Sequence, residues 1–267
     1  MGKTEKKAQI DDLQRRVEEM RPPRSIDGER LIAVFTDLVE PLGRSLPASS
    51  EVVLHDLSRL PNSIVAIYGD VTGRRVGDPA TNLLLEAAVT GSFALNDAYE
   101  TVLPDGRRMR STTMIIRDVA GNPAAALCIN TDISVWINVH RIADAMLGNT
   151  SFPTGDARPV GDAVATILPV AAEPVNETFV RDVEELATQL VEAALASSGV
   201  PVELMQKRHK LAVVRDLKAR GMFLLRDAVE MVASALHVTR FTIYNYLNEL
   251  ADDVSELPTP SRKHAGE

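Results

Sequence analysis

Between residues 149 and 177, four prolines (Pro153, Pro159, Pro169, Pro174) and two glycines (Gly155, Gly161) fall so densely that no regular helix or strand can run through. The stretch divides the 267-residue chain into a β-rich half and a helical half. The expected organisation is a charged tail or short helix over 1–27 and an α+β domain over 28–148. A Pro-rich linker over 149–177, a connecting helix over 178–200, a helical domain over 201–250 and a disordered tail over 251–267 then follow. In the first segment Ile10, Leu13, Val17 and Met20 make one narrow apolar stripe, ended by Pro22-Pro23. That pattern suits a frayed tail or a short dimerising helix.

The first half opens with an amphipathic pattern over Glu29–Leu42, with Leu31, Ile32, Phe35, Leu38 and Val39 on one side and Gly43 as the stop. Five β-rich runs follow: Glu51–Leu57, Ser63–Tyr68, Tyr99–Leu103, Met109–Arg117 and Ala124–Thr131. Pro104-Asp105-Gly106 and the Asp118–Pro123 stretch with Gly121-Asn122 supply turns, so adjacent hairpins predict an antiparallel sheet. Asp78–Val89 reads as a helix with Asp78 as N-cap and Pro79 at its first position. A further helix is predicted over Ile133–Leu147, ending at Gly148.

In the second half, Thr178–Ser197 carries an apolar stripe of Phe179, Val183, Leu186, Leu190, Ala194 and Leu195. The most informative stretch is Leu225–Leu250. Val229, Val232, Ala233 and Leu236 share one helix face, His237-Val238 makes a short turn, and Thr239 caps a second helix. Ile243, Tyr246, Leu247 and Leu250 point inward on that helix, whereas Arg240, Phe241, Tyr244, Asn245 and Asn248 point outward. This is the spacing of a helix-turn-helix, with small Ala233 at the helix crossing and Lys207–Arg220 as the preceding helix. His237 stands where such a turn usually has a glycine in the left-handed conformation.

In that geometry the second helix enters the major groove of double-stranded DNA. Arg240 pairs with guanine, and Asn245 or Asn248 with adenine. Thr239, Tyr244 and the basic Lys207, Arg208 and Lys210 suit phosphates, and Phe241 and Thr242 complete the exposed first turn. The charge distribution agrees. The chain carries −8 overall, yet Glu203–Leu250 carries +3, from eight Lys/Arg against five acids. The alternative for the same helices is docking on a protein partner.

Several classes are disfavoured. The single Cys128 excludes internal disulfides and a Cys-built zinc site, and the five histidines are too scattered for a metal signature. Ser111, Ser134 and Cys128 lack the context of a nucleophile, and His55-Asp56 are strand neighbours that face opposite ways. Gly69–Gly73 lacks the Gly-Lys-Ser/Thr of a phosphate loop. No apolar run suggests a signal peptide or a membrane span, so the expectation is a soluble, cytoplasmic, non-enzymatic protein that needs no cofactor.

The segments EVVLHDLSRLPNSIVAIYGDVTGRRVGDPAT (51–81), ALCINTDIS (126–134) and GMFLLRDAVEMVASALHVTRFTIYNYL (221–247) resemble bacterial regulators of the YheO/DauR type. The resemblance covers roughly residues 28–140 and 205–250. It implies an α+β PAS-like fold, a five-stranded antiparallel sheet with flanking helices and a small-molecule pocket, followed by an all-α helix-turn-helix domain. It also implies a repressor whose effector is a D-amino acid or related small metabolite, and the expected assembly is a homodimer. Strand alternation places Ala124, Ala126, Cys128 and Asn130 on one face, where small residues leave room and Asn130 offers a hydrogen bond. His55, Asp56, Asp78, Thr81 and Asp132 complete the candidate effector site, the three aspartates as acceptors for an ammonium. Each also has an ordinary structural reading: His55 as a core histidine, Asp78 and Asp132 as helix caps.

Overall fold

The computed structural model describes residues 25–92, 98–147 and 175–255. The expected segment 1–24, most of the Pro-rich stretch and the last twelve residues lie outside the described residues. The chain divides into two units, one within residues 21–186 and one from Ala187 onward.

The first unit begins with α1 (Ile26–Ser45). It starts three residues before the apolar pattern does, because the Ser25 hydroxyl accepts the Gly28 N–H at 3.0 Å and Asp27 and Glu29 favour the positive helix end. Five strands follow: β1 (Ser50–Asp56), β2 (Ile64–Tyr68), β3 (Tyr99–Val102), β4 (Arg108–Arg117) and β5 (Pro123–Asp132). They form one antiparallel sheet in the order β2-β1-β5-β4-β3. Every residue of β1 is buried, as expected for an inner strand covered on both faces.

Alternation then sorts the side chains. Val52, Leu54, Ala125, Leu127 and Ile116 lie on the face that packs against Val39, Phe35 and Ile32 of α1. Gly43 lets α1 approach β2, since a Cβ there would stand 2.2 Å from the Tyr68 ring. The opposite face, called the inner face below, carries Val53, Ile64 and Cys128. At its far end Val71, Leu103 and Met109 pack together with Phe179.

Two later helix starts also differ from expectation. α2 (Asn82–Thr90) is capped by Thr81, not Asp78. Residues 77–80 are held beside β2 instead: Gly77 N–H bonds Ile64 O, Ile64 N–H bonds Asp78 O, and Ala80 N–H bonds Pro61 O. Backbone groups used there cannot also open a helix. After α3 (Ser134–Met146), the next helix is α4 (Val183–Ser198), five residues later than Thr178. Residues 175–182 are tied to the first unit, because Val175 N–H bonds Glu100 O at 2.8 Å and Thr178 N–H bonds Asn82 Oδ1 at 2.7 Å. They form a strap across it, where the sequence pattern suggests linker and helix.

The second unit contains α5 (Lys207–Ala219), α6 (Ala228–Ala235) and α7 (Arg240–Ser255). Val213, Val214 and Leu217 of α5 are buried, as are Val232 and Ala233 of α6, Leu236, and Ile243, Tyr246, Leu247 and Leu250 of α7. The inward and outward faces fall where the spacing predicts. α7 continues to Ser255, past the expected start of the tail at 251. His237 sits at φ 50° in the turn, the left-handed position anticipated for it.

Candidate DNA interface and sensor face

Thr239 opens α7 as predicted. Its hydroxyl accepts the Thr242 N–H at 3.2 Å and lies 2.9 Å from the Thr242 hydroxyl. Arg240, Phe241 and Asn245 are exposed, and Thr242, Tyr244 and Asn248 are half-buried. Arg240 reaches back to Glu230 of α6 in an ion pair at the surface. The guanidinium is thereby held beside the first turn of α7, where base contacts would be made. Burial next to Glu230 raises the Tyr244 phenol above its ordinary pKa, so it stays a hydrogen-bond donor at neutral pH.

The three residues of α5 expected to meet phosphates have distinct surroundings. Lys207 Nζ pairs with Glu249 of α7 at 2.7 Å, and Arg208 Nε donates to His209. Lys210 donates to Leu236 O at 2.7 Å, which satisfies a free carbonyl at the end of α6. Lys210 therefore holds the turn in shape. Exposed Lys207 and Arg208 remain beside α7 as surface cations.

In the first unit, the predicted effector residues separate onto different surfaces. His55, Cys128 and Asn130 share the inner face: Asn130 pairs in register with Ser111 and Glu51, and Cys128 with Thr113 and Val53. His55 Nδ1 lies 2.8 Å from the Ser63 hydroxyl. Asp56 points to the α1 side, where it caps Ser58 and pairs with Arg59 at 3.0 Å. Asp78 closes a turn by accepting the Arg75 N–H at 2.7 Å. Asp132 accepts the Ser134 N–H at 2.9 Å ahead of α3 and meets Arg107 at 3.5 Å. Thr81 caps α2 and also hydrogen-bonds Glu177. Ala124 leaves the expected face. A register shift between Ile116 and Arg117 interrupts the alternation there, and Ala124 lines a cleft with Gly28 and Ile32 of α1.

The sequence reading missed the polar core of the inner face. Glu51, Asn130, Ser111 and Tyr99 form one row across β1, β5, β4 and β3. Glu51 is fully buried and accepts the Val71 N–H, the Thr72 N–H, the Thr72 hydroxyl and the Asn130 amide. Arg74 lies 3.6 Å from it with only 3% of its surface exposed. Ser111 donates to Asn130 at 2.9 Å, and Tyr99 and Cys128 both meet the Thr113 hydroxyl at 3.4 Å. Glu177 enters from the strap and bonds Tyr99 and Thr81. The available signal was Glu51 and Asn130, each a polar residue within a predominantly apolar β-rich run.

Burial controls titration here. Desolvation, aided by the nearby Arg74 charge, holds the His55 imidazole well below its usual 6.5. Burial pushes the Cys128 thiol up to about 11, so it is an unreactive packing residue at neutral pH. His55 gives a stability prediction. Its folded pKa is lowered, so below pH 6.5 the unfolded chain takes up a proton that the folded chain refuses. Stability of the first unit should fall with pH from there, by up to about 1.4 kcal/mol per pH unit for this residue. His55→Asn should remove that component, read as a flatter melting temperature against pH.

Residues 27–148 match the family model described as the YheO-like PAS domain, and residues 186–248 match one described as an HTH domain. The chain is 25% identical to Escherichia coli (strain K12) YheO over 82% of its own length and 84% of that protein. It is 29% identical to the transcriptional regulator DauR of Pseudomonas aeruginosa, over 76% of this chain and 86% of DauR. A Haemophilus influenzae relative is 24% identical over 86% of this chain and 96% of its own. Two matched domains in this order, on a sheet and a trihelical unit that fit them, make the chain a DNA-binding transcriptional regulator with a YheO-like PAS domain and an HTH domain, similar to YheO and DauR.

Proposed function

We propose that the chain is a ligand-responsive repressor that acts in the cytoplasm as a homodimer, with a small metabolite bound on the PAS-like domain changing its hold on an operator. The observation that carries this reading is the pairing of two surfaces on one chain. α7 presents Arg240, Phe241 and Asn245 outward, and the inner face of the sheet buries a polar network in which Arg74 and Glu177 keep unmatched atoms. The effector proposed first is a D-amino acid, the class implied by the family resemblance. The helical domain as a protein-docking surface remains the competing reading, and its binding would respond little to salt.

The dimer draws support from α3. Val135, Val139, Ile142 and Met146 recur at helical spacing and are all exposed, with Trp136 beside them. So long an apolar stripe on a regulator suits a second copy of the chain, which would place two recognition helices on neighbouring half-sites. The test of the whole reading is fluorescence anisotropy with operator DNA from upstream of the protein's own gene, titrated with individual D-amino acids. One of them should shift the affinity. Ile142→Glu should weaken binding and lower the mass in solution. No shift with any of them rules out a D-amino acid effector, and unchanged mass in the variant removes the stripe from the dimer interface.

A further inference from the structure

Three buried side-chain atoms among the described residues have no hydrogen-bond partner: Arg74 Nη1, Thr101 Oγ1 and Glu177 Oε2. All three belong to the first unit. Leaving a buried polar group unmatched costs about 1–3 kcal/mol and more for a charged one, so such atoms are rare in a settled core. Two of the three sit on groups of opposite charge.

Arg74 is fixed on its other sides. Nε donates to the Thr72 hydroxyl at 3.1 Å, Nη2 faces Glu51, and the Phe179 ring covers the guanidinium at 4.9 Å. Glu51 already receives four donors and has little acceptor capacity left for Nη1. Glu177 bonds Thr81 and Tyr99 but leaves Oε2 unused. Neither orphaned atom is spent on the other. Both groups nevertheless act on one neighbour, because the Cys128 thiol feels the charges of Glu177, Arg74 and Glu51 together. Phe179, the ring that covers Arg74, stands two residues along the strap from Glu177, so the segment that carries the unmatched acceptor runs against the guanidinium that carries the unmatched donor.

We propose that Arg74 and Glu177 form a buried site for a small zwitterion, whose carboxylate takes Arg74 Nη1 and whose ammonium takes Glu177 Oε2. This rests on the ligand-sensing reading above and assigns the residues that would do the sensing. Thr101, two residues from Tyr99 on the same face, supplies a third polar contact. Burial raises the Glu177 pKa, and an ammonium beside it restores the carboxylate form. Glu177 also belongs to the strap 175–182, which runs directly into α4. Occupancy of the site therefore anchors the backbone that enters the helical unit.

The test uses the full chain and free D- and L-amino acids, each at millimolar concentration, with thermal shift followed by calorimetry. At least one should bind saturably. Its carboxamide and its deaminated acid should each bind about 10- to 100-fold more weakly, the effect of losing one charged hydrogen bond. Glu177→Gln keeps the side-chain shape and its bonds to Thr81 and Tyr99, and Arg74→Lys keeps the buried charge. Each should lose affinity by a similar factor while the circular dichroism spectrum is unchanged. Saturable binding that survives both variants, or no binding by any amino acid, overturns the proposal and leaves the orphaned atoms to water. DNA binding by wild type in the same buffer reports separately on the regulator reading.

Discussion

Glu51→Ala is expected to destabilise the PAS-like domain by about 3–5 kcal/mol, the range for removing one partner of a buried charged network. The carboxylate is fully buried and serves four donors, two of them backbone N–H groups in the turn after β2. Its loss strands those donors and leaves Arg74 as a buried charge without its nearest acid. Glu51→Gln keeps the volume but places an amide –NH2 among donors, so it should cost less yet still be harmful. Urea denaturation followed by circular dichroism would measure both. The helical unit should unfold at its unchanged midpoint in each variant. A cost under about 1 kcal/mol for the alanine variant would show that the turn bonds carry little energy.

Ile243→Ala should cost the helical unit about 2–5 kcal/mol, since it removes a fully buried side chain from the inward face of α7. Val232, Ala233 and Leu236 of the preceding helix and turn are buried too, and a three-helix unit of this size has few other core residues with which to fill the cavity. DNA binding should disappear at temperatures where this unit melts, while the transition of the PAS-like domain is retained. Ile243→Val, which deletes one methylene, should cost only about 0.5–1.5 kcal/mol. Equal effects of the two variants would mean that the site is not packed as described.

The strands and the recognition helix were readable from sequence because local pattern and tertiary role coincide there. The β-rich run over Glu51–Leu57 became the wholly buried β1, and the 3.6-residue period over Arg240–Leu250 buries the residues that the pattern marks. The start of α2 was misplaced because Asp78-Pro79 has the chemistry of a helix opening, while hydrogen bonds to Ile64 and Pro61 claim the same backbone. Nothing local in the sequence announces that contact. Arg74 and Glu177 were missed for a related reason: they lie 103 positions apart, outside any strand, and acquire meaning only where the strap crosses the sheet. Lys210 has a structural role that its charge did not announce: it donates to the Leu236 carbonyl at the end of α6.

The central claim is that α7 reads DNA, and fluorescence anisotropy on operator fragments tests it most directly. Wild type, Arg240→Ala and Asn245→Ala should be compared at two salt concentrations. Wild type should bind specifically, with an affinity that falls steeply as salt rises. Each variant should lose about 10- to 100-fold on the operator and much less on unrelated DNA, because these side chains lie where base edges are met. Binding by both variants that equals wild type on operator and unrelated DNA alike would contradict the recognition-helix assignment.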